Sequence, residues 1–540
     1  MATFVASIEP RAVSYPAERD TALHHRAFPL LLVSALTLFA ATVDGYHPYA
    51  EDGGLYLAGV EHLLNPSLYH HGSAYVLEPM RHSFFAPTIA GAVHLTHLPL
   101  PAVLLAVYLA SIWATLFAAW MLASRCWTTR AARTGAVALL ACWLSLPIAG
   151  TALLFMDPYA TARSFSTPCM LLALASSFDM TARSGPGRKR LRQRGLVLWT
   201  VSIALAAAMH PLMAAYALGA TLMLLAVRSP NRTLKRYGPA ALAASALALA
   251  ACLQSFAQPE SADYLRVALT RTYWYPTQWR WYEWFGLAAP LMILTIIAWG
   301  KKVPPTNTHS TQTGDARQAL ARMAIAVGAT SCLVALLFAR TTSASQWIAR
   351  LQPLRVFQIV YLILALTLGA QLGERLLRRS TWRWATAMVL LGGMMFFAER
   401  TAFPNSNHLE LPWITPQNRW VQAFLWIRVN TPADALFALD ADYINAQGED
   451  AQCFRAIAQR SALADYSKDG GEASISPDLA EDWTRSQEVQ QYLSAPATSD
   501  AERLSTLRPL GVSWVMLQAA ATTRLDCPYS NSAVKVCKLG

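Results

Sequence analysis

The residues best suited to chemistry fall in one stretch, Asp44 to Phe85, which opens DGYHPYAEDGG directly behind a long apolar run. It carries the carboxylates Asp44, Glu51, Asp52, Glu61 and Glu78, the histidines His47, His62, His70, His71 and His82, and Arg81. A carboxylate here could act as general base toward an incoming hydroxyl, or hold a divalent cation, Mg or Mn, beside a phosphate. The plainer alternative is local. Asp44 ends one helix, and Glu51 or Asp52 caps the next, LYLAGVEHLL. That accounts for each residue singly but less well for their gathering in one loop of a hydrophobic chain. Ionisable groups are costly at the mouth of a membrane domain, so a functional site is the default reading. His70 and His71 are adjacent and point apart on most backbones, which argues against a zinc pair.

Further candidates lie in later segments on the same side. Asp157 opens DPYATARS behind the apolar LLFM, and either pairs locally with Arg163 or joins the acidic cluster. His210 is the one ionisable group in Leu196–Val227; it either hydrogen-bonds a carbonyl freed near Pro211 or binds a ligand. Arg350 and Arg355 stand where a late helix enters the membrane. Guanidinium there suits a lipid-linked phosphate bidentately, with snorkelling to ordinary head groups as the alternative. The loop 258–284 holds eight Tyr and Trp residues; an interfacial belt explains most of them, and stacking on sugars or lipid is the minority reading.

The elements that must position these residues are membrane helices. Of 540 residues, 54% are hydrophobic and 14% charged, far below the quarter usual for a soluble domain. Ten apolar runs recur between Ala27 and Ala398, most near the ~20 residues that cross ~30 Å of hydrocarbon. Leu196–Val227 is too long for one crossing and reads as two short helices meeting at His210-Pro211, which makes about eleven, with a single kinked, strongly tilted helix as the competing reading. The segments 1–26, 124–133, 183–194, 228–236, 300–322 and 374–383 hold 24 of the 44 Lys and Arg, against eight in the short loops facing the other way. By the positive-inside rule the richer side is cytoplasmic. The net charge of +12 is therefore mostly topology and not a nucleic-acid footprint. Residues 1–26 form a cytoplasmic segment, 27–398 a polytopic transmembrane domain with the outer loop 44–85, and 399–540 an outward domain. The first apolar run reads as a retained anchor, since no cleavage-like ending follows it. Phe84–Leu98 reads as a helix at the interface or a half-membrane element, because counting it as a crossing would invert every later loop.

From about Gln417 the pattern becomes that of a soluble α/β domain. It has an amphipathic helix Gln417–Val429, strands at Ala435–Leu439, Ala462–Tyr466, Val512–Leu517 and Val534–Cys537, and a helix Asp500–Leu507. Cys527 and Cys537 flank a turn-like PYSNS and would pair in an oxidising compartment; Cys453 makes the outward cysteines an odd three, which leaves the pairing open.

One long N-terminal crossing, an outward acidic loop opening VDGYHPYAEDGG, many further crossings and an outward α/β tail together resemble the GT-C superfamily. Those are polytopic membrane glycosyltransferases that use polyprenyl-phosphate sugars. The tail segment WIRVNTPADALFALD also looks like the start of the soluble domain in bacterial relatives. The resemblance implies an all-α membrane bundle with a C-terminal α/β domain in a bacterial-type inner membrane, the tail periplasmic. It implies that Asp44, Glu51 or Asp52 serves as base or supports a metal, that Asp157 adds a second acidic group, and that Arg355 meets the donor phosphate. His47, Arg81, His82, Arg163, His210 and Arg350 complete the expected substrate-binding set. Glu51-Asp52 stands where the family has a plain Asp-X-Asp or Asp-Glu pair, which leaves the base and the metal unassigned. The implied partners are a polyprenyl-phosphate-linked sugar and membrane lipid, with the sugar and acceptor open. The alternatives are a transporter or flippase without covalent chemistry, disfavoured by charges that cluster at one end and by the lack of a repeat, and a non-catalytic glycan-binding relative.

Overall fold

The computed structural model describes residues 17–182, 187–300 and 308–539. Most of the N-terminal segment 1–26 and parts of the basic loops 183–194 and 300–322 lie outside the described residues. Long helices dominate the first three quarters. After α1 (Ala17–Asp44), loop one folds into α2 (Glu51–Leu64), α3 (Ser73–Arg81) and α4 (Phe85–Thr96). Then come α5 (Leu100–Cys126), α6 (Arg130–Cys142), a small hairpin of β1 (Pro147–Ile148) and β2 (Leu153–Leu154), and α7 (Ala162–Met180). The chain continues through α8 (Arg188–Met209), α9 (Pro211–Arg228), α10 (Arg232–Phe256), α11 (Ala262–Leu269), α12 (Trp281–Trp299), α13 (Thr308–Phe338), the short α14 (Trp347–Arg350), α15 (Phe357–Gln371) and α16 (Thr381–Ala402).

Seven segments among the described residues are long and apolar enough to cross a membrane: Ala27–Asp44, Leu100–Cys126, Pro211–Arg228, Arg232–Phe256, Trp281–Trp299, Thr313–Phe338 and Trp347–Leu377. The expected eleven is not reached, for local reasons. Thr134–Met156 is not one helix: α6 stops at Cys142 and the chain turns back through the hairpin. α8 opens with the basic RKRLRQR, α7 carries Arg163 in its first turn, and α16 carries Arg383, Glu399 and Arg400. The long run does divide at His210-Pro211, with Pro211 at the first turn of α9, where a missing N–H costs nothing. α4 has 12 residues, about 18 Å of helix, too short to span. Its end is bare, with Leu95 and Leu98 exposed.

Close helix packing in the bundle depends on small residues, as is usual where lipid supplies no hydrophobic drive between helices. A Cβ on Gly135 of α6 would lie 2.2 Å from the carbonyl of Gly369 in α15. The bundle core runs through Leu116, Leu140, Leu174, Leu224, Leu294, Phe357 and Leu366.

The tail contains α17 (Arg419–Asn430), β3 (Leu436–Ala438), α18 (Phe454–Ala458), β4 (Ser461–Ala462), α19 (Lys468–Ile475), α20 (Ala480–Gln490), α21 (Asp500–Leu507), β5 (Trp514–Gln518), β6 (Tyr529–Ser530) and β7 (Val534–Lys538). Asn418 starts α17 by accepting from the N–H groups of Trp420 and Val421. The mixed five-stranded sheet has the order β4-β3-β5-β7-β6, with β3 parallel to both neighbours and β7 antiparallel to both of its own. Cys527 and Cys537 are joined by a disulfide.

Loop one lies between bundle and tail. A single apolar core joins Leu57 and Val60 of α2 and Phe85 and Ile89 of α4 to Phe424, Phe437, Phe454 and Trp514 of the tail. The tail also straps the backbone of loop one. Bridges link Tyr46 to Leu409 and Ala50 to Gln452, and the Cys453 N–H donates to the Tyr49 carbonyl at 2.9 Å. The aromatic loop behaves differently from a belt. Tyr264, Trp274 and Tyr275 pack against Tyr75, Ala464 and Trp483 in a third core, and Trp279 is buried over Gly150. Only Trp281 and Tyr282 of the eight rings stand largely exposed.

Candidate active site

The first turn of α2 carries the pair Glu51-Asp52, and the two glycines after it explain how it is approached. A Cβ on Gly54 would meet the Cys453 side chain at 2.3 Å, so glycine lets the tail press against the helix start. Glu51 itself has φ +52, a left-handed conformation that costs a non-glycine residue roughly 1–3 kcal/mol. Tail contacts hold it there: its N–H donates to the Ala451 carbonyl at 2.7 Å, and the Cys453 thiol lies 3.1 Å from its carbonyl. Neither Glu51 nor Asp52 caps α2. The N-cap is Ala50, and both acids sit in the first turn, where the helix dipole favours negative charge.

Asp52 faces a cavity of about 1380 Å³ whose wall draws on loop one, the β1–β2 hairpin, the α8–α9 junction, the aromatic loop, the segment 350–355, α16 and the tail. Arg163, at the start of α7, joins two carboxylates: its Nη2 is 2.9 Å from Asp52 Oδ2 and 2.9 Å from Asp157 Oδ2. The local pair and the wider cluster are thus both present. The second Asp52 oxygen lies 3.2 Å from Lys468 Nζ, and the same ammonium contacts Glu51. Burial works to raise the Asp52 pKa, but Lys468, Arg163 and Arg355 outweigh it and hold the carboxyl well below its usual range. Asp157 goes the other way: burial raises it against the pull of Arg163. Lys468, despite burial, is held protonated by Glu51 and Asp52. Removing one partner of the buried Arg163–Asp157 pair strands the other, at about 3–5 kcal/mol.

The two arginines of the late loop differ. Arg350 reaches the cavity wall but is committed, with Nη2 3.0 Å from Glu260 and Nε 2.9 Å from the Tyr264 hydroxyl. Arg355 sits over the Tyr273 ring at 5.9 Å, and its buried Nε has no hydrogen-bond partner. It lines the cavity close enough to Asp52 to lower that pKa. Among the described residues no hydrogen bond or ion pair engages its guanidinium, whereas Arg163, Arg271 and Arg350 are each committed.

The other expected residues divide. His210 and His82 line the cavity. The carbonyls left open at the end of α8 are taken by loop one and not by the His210 ring: Ser83 Oγ donates to Met209 at 2.6 Å and the Phe84 N–H to Ala208 at 3.0 Å. His47 is fully buried, 2.9 Å from Glu410 and stacked on Phe403, outside the cavity wall. Arg81 is 66% exposed and pairs with Glu78, also away from the wall. Asp44 is 2% exposed and does not line the cavity. Its Oδ1 accepts from the Ser145 hydroxyl at 2.6 Å and the Ser145 N–H at 3.1 Å, which pins the turn leading into the hairpin.

Two tail residues went unnoticed in the sequence. Lys468 and Glu472 both line the cavity from α19. Burial, with Asp52, Glu78 and Asp469 nearby, pushes Glu472 up to about 8. SKDGGE carries only a turn signal, and nothing in it marks these residues.

Searches against protein-family models and against curated proteins give no match. Among solved structures, over most of its length the chain is similar to GT-C glycosyltransferases at low identity. One is the arabinofuranosyltransferase AftD from Mycobacteria, at 15% identity and a TM-score of 0.47, covering 95% of this chain and 42% of that one. Another is an oligosaccharyltransferase from Archaeoglobus fulgidus in the apo form, at 11% identity and 0.45, covering 91% of this chain and 70% of that one. A third is the archaeal oligosaccharyltransferase AglB from the same organism, with an inhibitory peptide and a dolichol-phosphate, at 14% and 0.41, covering 92% and 70%. The chain thus spans less than half the length of AftD.

A resident divalent ion would need the loop-one carboxylates. Glu51 and Asp52 are engaged by Lys468, and Asp52 and Asp157 by Arg163. Among the described residues no three His, Cys, Asp or Glu side chains are arranged to hold a metal. The donor set present does not fit one.

Proposed function

We propose that this protein is a membrane glycosyltransferase that takes a polyprenyl-phosphate sugar as donor and works in the cavity above α2, on the periplasmic face of a bacterial-type inner membrane. One observation carries the reading. Ionised Asp52, held at 2.9 Å by Arg163, shares a large cavity with Arg355, a guanidinium whose buried Nε has no partner. A carboxylate acceptor and a spare phosphate-binding cation on one wall are what glycosyl transfer from a phosphate donor requires.

The donor phosphate docks on Arg355, and the lipid runs down among the helices. The acceptor hydroxyl hydrogen-bonds to Asp52. Its oxygen bonds to the anomeric carbon as the bond from that carbon to the phosphate oxygen breaks. The proton passes to the Asp52 carboxylate, and the polyprenyl phosphate leaves with the electron pair, its added charge met by Arg355. Asp52 stays ionised at neutral pH and so is always ready to accept. Its low pKa makes the proton transfer late, once bonding to carbon has acidified the hydroxyl. Arg163 fixes the Asp52 rotamer and ties it to Asp157.

The test uses purified protein in nanodiscs with labelled polyprenyl-phosphate sugars and a panel of acceptor glycans. Transfer that Asp52→Asn abolishes supports the reading. Donor binding with no product from any acceptor would favour the transporter or binding alternative, and full transfer by Asp52→Asn would remove the proposed base.

A further inference from the structure

The feature that glycosyl transfer leaves unexplained is Lys468. Its side chain is 14% exposed, and its ammonium is inserted between Glu51 and Asp52, carboxylates more than 400 positions away in sequence. The turn that delivers it is pinned from three directions. Asp465 accepts the Lys468 N–H at 2.6 Å; Asp469 is held by Arg455 and accepts the Asp465 N–H at 2.8 Å; Arg271 donates to the carbonyls of Tyr466 and Ser467 at 2.8 and 2.7 Å. On the opposite side Glu51 is kept in its left-handed conformation by Ala451 and Cys453. Both halves of the contact are therefore positioned at a cost, by separate parts of the tail.

We propose that Lys468 is a tethered cation occupying the position between Glu51 and Asp52 that a divalent ion would need, so that the tail and not a metal neutralises this carboxylate pair. The charges support this assignment. Glu51, Asp52 and Asp157 carry three negative charges, Lys468 and Arg163 return two positive ones, and Arg355 adds a third that faces the cavity. The carboxylates are balanced before any ligand arrives. A divalent ion would have to displace an ammonium and would leave excess positive charge at short range. The inference deepens the transfer reading by naming how its cation is supplied. Its test reads ion binding, so it stands or falls whether or not sugar transfer is observed.

The experiment titrates Mn2+ into the full chain in detergent after EDTA treatment, reading free ion by electron paramagnetic resonance. Wild type and Lys468→Arg are expected to take up no stoichiometric Mn2+. Lys468→Met, with its fold checked by near-ultraviolet circular dichroism, frees the carboxylate pair and gains one equivalent at roughly tenfold or higher affinity than wild type. That equivalent is lost in Lys468→Met combined with Asp52→Asn. The wild-type titration needs no variant to fold. One equivalent of Mn2+ on wild type that Asp52→Asn removes would overturn the proposal, and so would a folded Lys468→Met that gains none.

Discussion

Asp44 and Asp52 belong to one short stretch of loop one, yet the structure gives them opposite surroundings. Asp44 ends α1 outside the cavity wall, held by Ser145, its second oxygen buried without a partner among the described residues. Asp52 opens onto the cavity at 29% exposure, held between a guanidinium and an ammonium. The residue type is the same, but the partners differ: Ser145 is a neighbour from the bundle, whereas Lys468 arrives from the tail. What makes one carboxylate a candidate for chemistry and the other a structural tie is which part of the molecule folds over it.

The comparison can be broken by substitution. Asp52→Asn should show the largest effect, a loss of transfer of about a hundredfold to ten-thousandfold, because it removes the proposed proton acceptor. Initial rates with labelled donor would check this. Arg355→Ala comes next, weakening polyprenyl-phosphate binding by roughly tenfold to a hundredfold through loss of a charge-assisted contact worth about 1.5–3 kcal/mol; equilibrium binding to the lipid phosphate alone would measure it. Asp44→Asn keeps an oxygen for Ser145 and should cost transfer less than about tenfold. A loss as complete as that of Asp52→Asn would erase the distinction between the two acids.

The smallest effect concerns Glu472, the acidic group facing Asp52 from the tail. Its pKa rises from an ordinary glutamate value to about 8 on folding, so between those limits the folded state binds a proton that the unfolded state has released. Stability therefore falls as pH rises across that window. Thermal melts between pH 5 and 9 should show the fall in wild type and a flatter profile in Glu472→Gln. Equal slopes would mean that Glu472 is not held protonated by its burial.

Much of the frame was legible in the sequence because it rests on local or compositional physics. Long apolar runs must be helices in lipid. Pro211, which lacks an N–H, marks where α8 ends and α9 begins. Asp500–Leu507 is a helix with the bounds its pattern predicts. Asp52, Asp157, Arg163, His210 and Arg355 were readable as candidates because polar groups stand out beside apolar runs, and the structure places all five on one cavity. Less legible were the breaks that tertiary contacts impose. The run Thr134–Met156 reads as one helix, but it folds into α6 and a hairpin whose turns bind Asp44 and the aromatic loop. The rings of that loop read as a lipid belt, but Tyr264, Tyr273, Trp274 and Tyr275 are one side of a core shared with the tail. Composition reports that a ring wants burial, but not against what.

The sequence by itself determined that the chain builds a helical membrane domain with a mixed α/β tail, and that carboxylates and histidines gather in the loop behind the first apolar run. Hydropathy and charge suffice for that, since each segment answers to lipid or water independently of the rest. Only the tertiary structure decided which cations meet Asp52. Lys468 reaches Asp52 across 416 positions, carried by a turn whose sequence reads as an ordinary loop. A charge pair of that span leaves no periodicity or spacing to read; it exists because the tail helices α18 and α19 pack on α2, where Gly54 lets the tail come close.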